Sequence, residues 1–186
     1  MGPLILAVSA SWAVFIVVWA ITSLQAKASV RRGLNSAGVL WRIGVLAAAV
    51  ILSQGVARGW IPRPTPLPYG LRLVGVLLTV FGVGFAIWAR MTLGANWGMP
   101  MTLREKPDLI TAGPYAFVRH PIYTGITFAM LGTALVVGAW WFFVLLVAFG
   151  YFLISARQEE KDMLQHFPDA YPAYMARTKR IIPFVY

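Results

Sequence analysis

Residues 122–156 read IYTGITFAMLGTALVVGAWWFFVLLVAFGYFLISA, and no charged side chain occurs between Arg119 and Arg157. As one straight helix the run would be roughly 50 Å long at about 1.5 Å per residue, too long for a hydrocarbon core of about 30 Å without extreme tilt. Gly138-Ala139 sits near its middle, followed by Trp140-Trp141, a pair suited to an interfacial belt. The run therefore reads as a tight hairpin of two helices, over about 122–137 and 140–156. Three further apolar stretches, about 4–24, 39–57 and 71–89, are each long enough to cross a bilayer once. The total is about five transmembrane helices.

Charge placement supports that count. With the N-terminus outside, Lys27, Arg31, Arg32 and Arg42 fall on the inner side, as do Arg90, Arg104, Lys106 and Arg119. The tail adds Arg157, Lys161, Arg177, Lys179 and Arg180, leaving only Arg58, Arg63 and Arg72 outside. Positive connections stay in the cytoplasm. A single crossing over 122–156 would put the basic tail outside. The stretch Leu4–Leu24 lacks a basic leader and suits a spanning helix better than a signal segment.

Composition agrees. Of 186 residues, 59% are hydrophobic and 12% charged, with eight Trp and eleven Phe. That charged share is about half the usual one, and a small soluble domain could not hide so much apolar surface. Disorder needs low hydrophobicity and is excluded. The formal charge of +10 is spread among the connections, which suits a membrane topology signal and anionic headgroups rather than nucleic acid. With no cysteine and two histidines, disulfides, thiolate sites and a structural zinc site are unsupported, and His166 reads as bland. No P-loop, G-x-S-x-G elbow or strand-associated G-x-G-x-x-G occurs, and Gly82-Val83-Gly84 reads as helix packing. The chain is a single membrane domain over 1–186: 1–89 supply the first three helices, and 90–186 the connection, hairpin and tail.

The polar chemistry gathers at the two mouths of the hairpin. Arg119-His120-Pro121-Ile122-Tyr123-Thr124-Gly125 opens its first helix. Pro121 suits a first helical turn, helix N-termini attract anions, and Arg119 adds a fixed positive charge. His120 offers a donor or acceptor, and Gly125 permits close backbone approach. A charged membrane anchor is the competing reading. Arg157-Gln158-Glu159-Glu160-Lys161-Asp162 leaves the second helix, and adjacent carboxylates near a bilayer are costly unless paired or solvated. Either one faces inward to a cation or diol, or both form a solvated cap with Arg157 and Lys161. A hairpin brings its ends together, so the two sets meet in one place. Asp169 suits an N-cap for a short helix over about 170–179, which sets Tyr171, Tyr174 and Arg177 on one face as a roof. The stretch 62–68, with four prolines, reads as a stiff outer loop.

These residues resemble the isoprenylcysteine carboxyl methyltransferase family, within the integral membrane methyltransferases that include phospholipid N-methyltransferases. The likeness rests on Gly113-Pro114-Tyr115, Val118 through Gly125, Glu159-Glu160 with Leu164, Tyr171-Pro172-Ala173-Tyr174 and Ile182-Pro183-Phe184. Thr92-Leu93-Gly94-Ala95-Asn96-Trp97 also looks like bacterial members. The resemblance covers about residues 90–186 and implies S-adenosylmethionine (SAM) as methyl donor, held by a cytoplasmic loop, the last helical hairpin and the tail. His120, Tyr123, Leu109 and Gly113 would contact it, with Tyr115, Arg119, Pro121, Gly125, Tyr171 and Tyr174 around them. Glu159 or Glu160 and Arg177 would line the junction with the methyl acceptor. Pro168 stands where a glycine often precedes the tyrosine pair. The implied partners are the bilayer and a small lipophilic acceptor, most readily a carboxylate, with no metal and no nucleic acid. An amine or phospholipid acceptor, an NADPH-dependent sterol-type reductase and a non-catalytic scaffold are the alternatives.

Overall fold

The computed structural model describes residues 2–23, 29–31, 66–97, 103–104, 108–138, 140–183 and 185, with isolated positions between 43 and 60. Five helices dominate the described residues. They are α1 (Pro3–Ser23), α2 (Tyr69–Leu93), α3 (Pro121–Val137), α4 (Trp140–His166) and α5 (Ala170–Arg177). Short 3-10 turns lie at Gly94–Asn96 and Gly113–Ala116. Two very short strands, β1 (Ser29–Arg31) and β2 (Leu103–Arg104), pair antiparallel. The expected crossing over 39–57 and most of the 62–68 loop lie outside the described residues, isolated positions aside.

By length and composition α1, α2 and α4 can each cross a membrane. The 17 residues of α3 reach about 25 Å at 1.5 Å per residue, a shorter apolar helix that pairs with α4. The hairpin turns at Gly138, whose φ of 134° is closed to most side chains. The chain is an all-α integral membrane protein. In α1 only Val8 is buried, as expected of a helix apolar all round whose surroundings are lipid.

Lipid tails give helices no hydrophobic reason to associate, so close packing must do so, and small residues permit it. Along α2 the buried face carries Gly75, Thr79, Gly82, Ala86 and Ala89, while Leu77, Val80 and Phe81 point out. Gly125, Ala129 and Gly132 of α3 meet that face. A Cβ at Gly82 would stand 2.5 Å from Gly125 O and Ala129 N, and one at Gly125 would stand 2.6 Å from Gly82 O. Thr79 Oγ1 donates to Gly75 O at 2.9 Å and lies 3.3 Å from Ala129 O across the seam. Trp12 Nε1 of α1 donates to Thr133 Oγ1 of α3 at 2.9 Å.

The helix α2 runs past the apolar stretch to Leu93, which puts Arg90 in its last turn. Buried Arg90 donates to Gly94 O at 2.8 Å and to Thr22 O at 2.5 Å, and its guanidinium lies 4.3 Å from the Trp97 ring centroid. Its fork thus ties the end of α1 to the turn after α2.

Gly84 has open space around it, unlike Gly82. Gly84→Ala should therefore raise thermal stability by up to about 1 kcal/mol, through helix propensity alone. Gly82→Ala and Gly125→Ala should lower it by about 1–3 kcal/mol as overpacked sites. Melting of the purified protein in one detergent checks both signs.

Candidate active site

The tail closes against the start of α3. Val118 and Lys179 form a parallel bridge. The Arg119 N–H donates to Lys179 O at 2.8 Å and the His120 N–H to Arg180 O at 3.0 Å. Thr124 Oγ1 donates to Ile181 O. The backbone donors of Arg119 and His120 are thus satisfied by the tail. His120 precedes α3 in a non-helical conformation (φ −123°, ψ 61°), and its side chain makes no cap, so the imidazole is left to face α4.

At the other mouth, α4 continues ten residues beyond its apolar part, to His166, and carries Glu159 and Glu160 with it. Glu160 is 3% exposed. Its Oε1 accepts from Arg119 Nε at 2.8 Å, and its Oε2 accepts from Arg180 Nε at 2.9 Å and Nη2 at 2.6 Å. Arg119 Nη1 also donates to Met175 O and Thr178 O. One buried carboxylate therefore joins the start of α3, the end of α4 and the tail. The Glu159 side chain keeps 26% of its surface, and its Oε1 accepts from Tyr123 Oη at 2.6 Å.

His120 lies between the two carboxylates, with Nδ1 3.4 Å from Glu159 Oε2 and Nε2 3.4 Å from Glu160 Oε1. Burial opposes a charge on the ring, but the two flanking glutamates outweigh it and raise its pKa above the ordinary 6.5. His120 Nε2 is buried and makes no aligned hydrogen bond. Ser155 Oγ, one turn before Glu159 on α4, is another buried polar atom without a partner. His120 stacks on Tyr123 with centroids 5.5 Å apart and planes 9° from parallel, and Tyr123 stacks on Phe152 at 4.8 Å and 8°. The three rings form a continuous column from the charged mouth into the hairpin.

The structure brings most of the expected residues together. His120, Tyr123, Glu159, Glu160 and Arg119 form one cluster. Tyr171 and Tyr174 are buried beside it, 5.8 Å apart and edge to face. Tyr174 Oη donates to Tyr115 O at 2.6 Å, and burial pushes its hydroxyl up to about 12, which keeps it a donor at neutral pH. Gly113 turns with φ 59°, and a Cβ there would stand 3.3 Å from Thr92. Leu109 is half-buried ahead of it, and Pro121 is buried at the first position of α3. Arg177 is exposed on α5, its guanidinium 5.9 Å from the Tyr174 centroid. The close approach expected at Gly125 is to α2, where Gly82 and Ala86 fill the space. Asp169 precedes α5, but its backbone is already helical (φ −94°, ψ −42°) and its side chain makes no cap bond. Arg180 and Phe152 were not among the residues singled out from the sequence. One was a tail charge like its neighbours, the other a member of an apolar run. His166 Nδ1 rests 2.9 Å from Asp162 O, and no group of three metal-binding side chains occurs among the described residues.

Glu160→Gln removes the buried charge that two part-buried arginines share and should cost about 3–5 kcal/mol. Glu159→Gln, at a side chain with 26% of its surface exposed, should cost less, about 1–2 kcal/mol. Because His120 is raised in the fold, its contribution is complete below pH 6.5 and is lost as pH rises through its folded-state value. His120→Asn should flatten that part of the stability profile, which thermal melts across pH 5–9 measure.

Residues 71–170 match the phospholipid methyltransferase family. The chain is 29% identical to the methanethiol S-methyltransferase of a Pseudomonas strain, over 67% of this chain and 52% of that one. It is 29% identical to the human protein-S-isoprenylcysteine O-methyltransferase, over 62% of this chain and 42% of the relative. The Schizosaccharomyces pombe isoprenylcysteine O-methyltransferase is 34% identical over 41% of this chain and 34% of its own length. The chain thus spans about half the length of the curated relatives it matches. The family match covers the seam of α2 and α3, the hairpin and both of its charged mouths, so the chain belongs to the phospholipid methyltransferase family.

Proposed function

We propose that this chain is an integral membrane methyltransferase that moves the methyl group of SAM to a lipophilic acceptor, most readily a carboxylate. The observation that carries the reading is the meeting of the hairpin's two mouths, where the His120–Tyr123–Phe152 column ends between Glu159 and Glu160. The donor set suits SAM. Glu159 offers a partly exposed carboxylate to a diol or a cationic group, the aromatic column offers ring faces to a sulfonium or purine, and His120 Nε2 is a buried polar atom whose one near partner, Glu160 Oε1 at 3.4 Å, makes no aligned hydrogen bond with it. The backbone near Leu109 and Gly113, with Tyr115, Tyr171 and Tyr174, completes the holding set. When bound, SAM supplies an electrophilic methyl group.

The chain's own part is binding, alignment and exclusion of water. Tyr123 fixes Glu159 through its hydroxyl, and Arg119 and Arg180 hold Glu160 so that it stays a carboxylate. Alignment of acceptor and donor in a dry site is worth about 7–11 kcal/mol of the barrier. An acceptor that arrives ionised needs no general base. Around the mouths Arg119, Arg177 and Arg180 outnumber the two glutamates, which favours an anionic head over an ammonium. Arg177, exposed at the edge, would receive the carboxylate while its apolar tail rests among the lipid-facing helices. The mouths face the cytoplasm and the N-terminus lies outside, following the positive connections.

The phospholipid methyltransferase family match and the methanethiol S-methyltransferase relative make an amine and a thiol the other acceptors to test, and product chemistry separates them. Incubation with methyl-labelled SAM and a lipid and small-acid extract should give label that alkali releases as methanol, the mark of a methyl ester. Alkali-stable label would point to an amine or sulfur product, and no transfer to any acceptor would contradict the reading. His120→Ala should weaken SAM binding by about tenfold or more at neutral pH while the protein still inserts, since one charge-assisted contact is worth about 1.5–3 kcal/mol. Unchanged affinity by isothermal titration would remove His120 from the site.

A further inference from the structure

We infer that Arg180 is a positioning residue, whose clasp on Glu160 Oε2 fixes the carboxylate's plane and keeps its Oε1 at 3.4 Å from His120 Nε2, short of an aligned hydrogen bond. Two observations carry this. Arg180 takes Glu160 Oε2 with two bonds while Arg119 takes Oε1, so three short bonds fix the carboxylate's plane. His120 Nε2 lies 3.4 Å from that same Oε1 and still makes no aligned hydrogen bond. An arginine fork sets direction as well as charge, and here it turns the acceptor lone pairs toward the tail. Without it, Glu160 keeps one partner and a free oxygen beside a ring that is a donor once protonated.

Among the described residues, charged or titratable groups from three segments face His120. Glu159 and Glu160 come from α4, Arg119 and Tyr123 from the imidazole's own segment, and Arg180 from the tail. Tyr171 of α5 lies in the field of Glu160 and Arg119. Burial and the glutamate field hold its hydroxyl above the ordinary range, so it stays neutral while His120 titrates. Removing Arg180 takes a positive charge from the cluster and frees Glu160 toward the ring. Both changes favour the imidazolium, so the sign is fixed: His120 titrates at higher pH.

The chain has two histidines, so a His166→Asn background leaves His120 as the only imidazole signal in an isotope-labelled sample. Arg180→Gln should move its NMR titration midpoint up by about one unit or more. Arg180→Lys, which keeps the charge within reach of the same oxygen, should stay near the parent value. A midpoint in Arg180→Gln that is unchanged or lower overturns the inference. Should that variant fail to fold, Glu160→Gln combined with Arg180→Gln leaves no buried carboxylate uncompensated. Its midpoint should lie only about half a unit above that of Glu160→Gln alone, the effect of the lost charge, and an extra shift of about one unit or more would overturn the inference by showing Arg180 acting without Glu160. The consequence for SAM rests on the proposed function: at neutral pH Arg180→Gln should lose about tenfold in SAM affinity, with Arg180→Lys restoring most of it. A parent protein that binds no SAM at any pH would overturn the proposed function, while the His120 titration would still decide the role of Arg180.

Discussion

A carboxylate buried at the edge of a bilayer is expensive unless its oxygens are fully engaged. Glu160 meets that condition by taking Arg119 from the start of α3 and Arg180 from the tail, and three segments distant in sequence are held at one point as a result. The tail's pairing along Val118–His120 and the Thr124 bond to Ile181 follow from the same docking. His120 and Glu159 then stand where they do because their neighbours are fixed. A pair of arginines on one carboxylate has a geometric value here: it holds the start of α3, the end of α4 and the tail at one point.

The membrane part serves that geometry. The glycine seam between α2 and α3 brings the two backbones to a separation that larger residues forbid, which sets where α3 begins relative to the end of α2. Arg90, spread over Trp97 and bonded to the carbonyls of Thr22 and Gly94, fixes that end of the bundle. Gly113 packs on Thr92, two residues further along α2, so the loop leading to Tyr115 is seated on the same helix. Rigid spans thus deliver loop, hairpin and tail to one side of the molecule.

Much of this was legible in the sequence. An uncharged run too long for one crossing, with Gly138-Ala139 near its middle and Trp140-Trp141 after it, reads as a hairpin, and the structure turns at Gly138. The same fold-back argument brought His120 to Glu159 and Glu160 before any distance was known. What could not be read was the division of labour between the glutamates, because it depends on which direction α4 rotates its last turns once the apolar face has been packed. Arg180 was hidden for a related reason. A basic residue in a basic tail carries no periodicity, and only the parallel bridge of Lys179 with Val118 aims it at Glu160. Gly125 does permit a close backbone approach, and the backbone that takes it is that of α2 at Gly82 and Ala86. Asp169 matches the composition of a cap but not its backbone angles.

The central claim is that the two mouths of the α3–α4 hairpin, roofed by α5, form one site for SAM. Photocrosslinking with a radiolabelled SAM analogue, followed by peptide mapping, tests it most directly. Label should fall on segments 109–125 and 155–181 and should be displaced by unlabelled SAM. Label confined to α1 or to the first turns of α2, or label that SAM does not displace, would contradict the account.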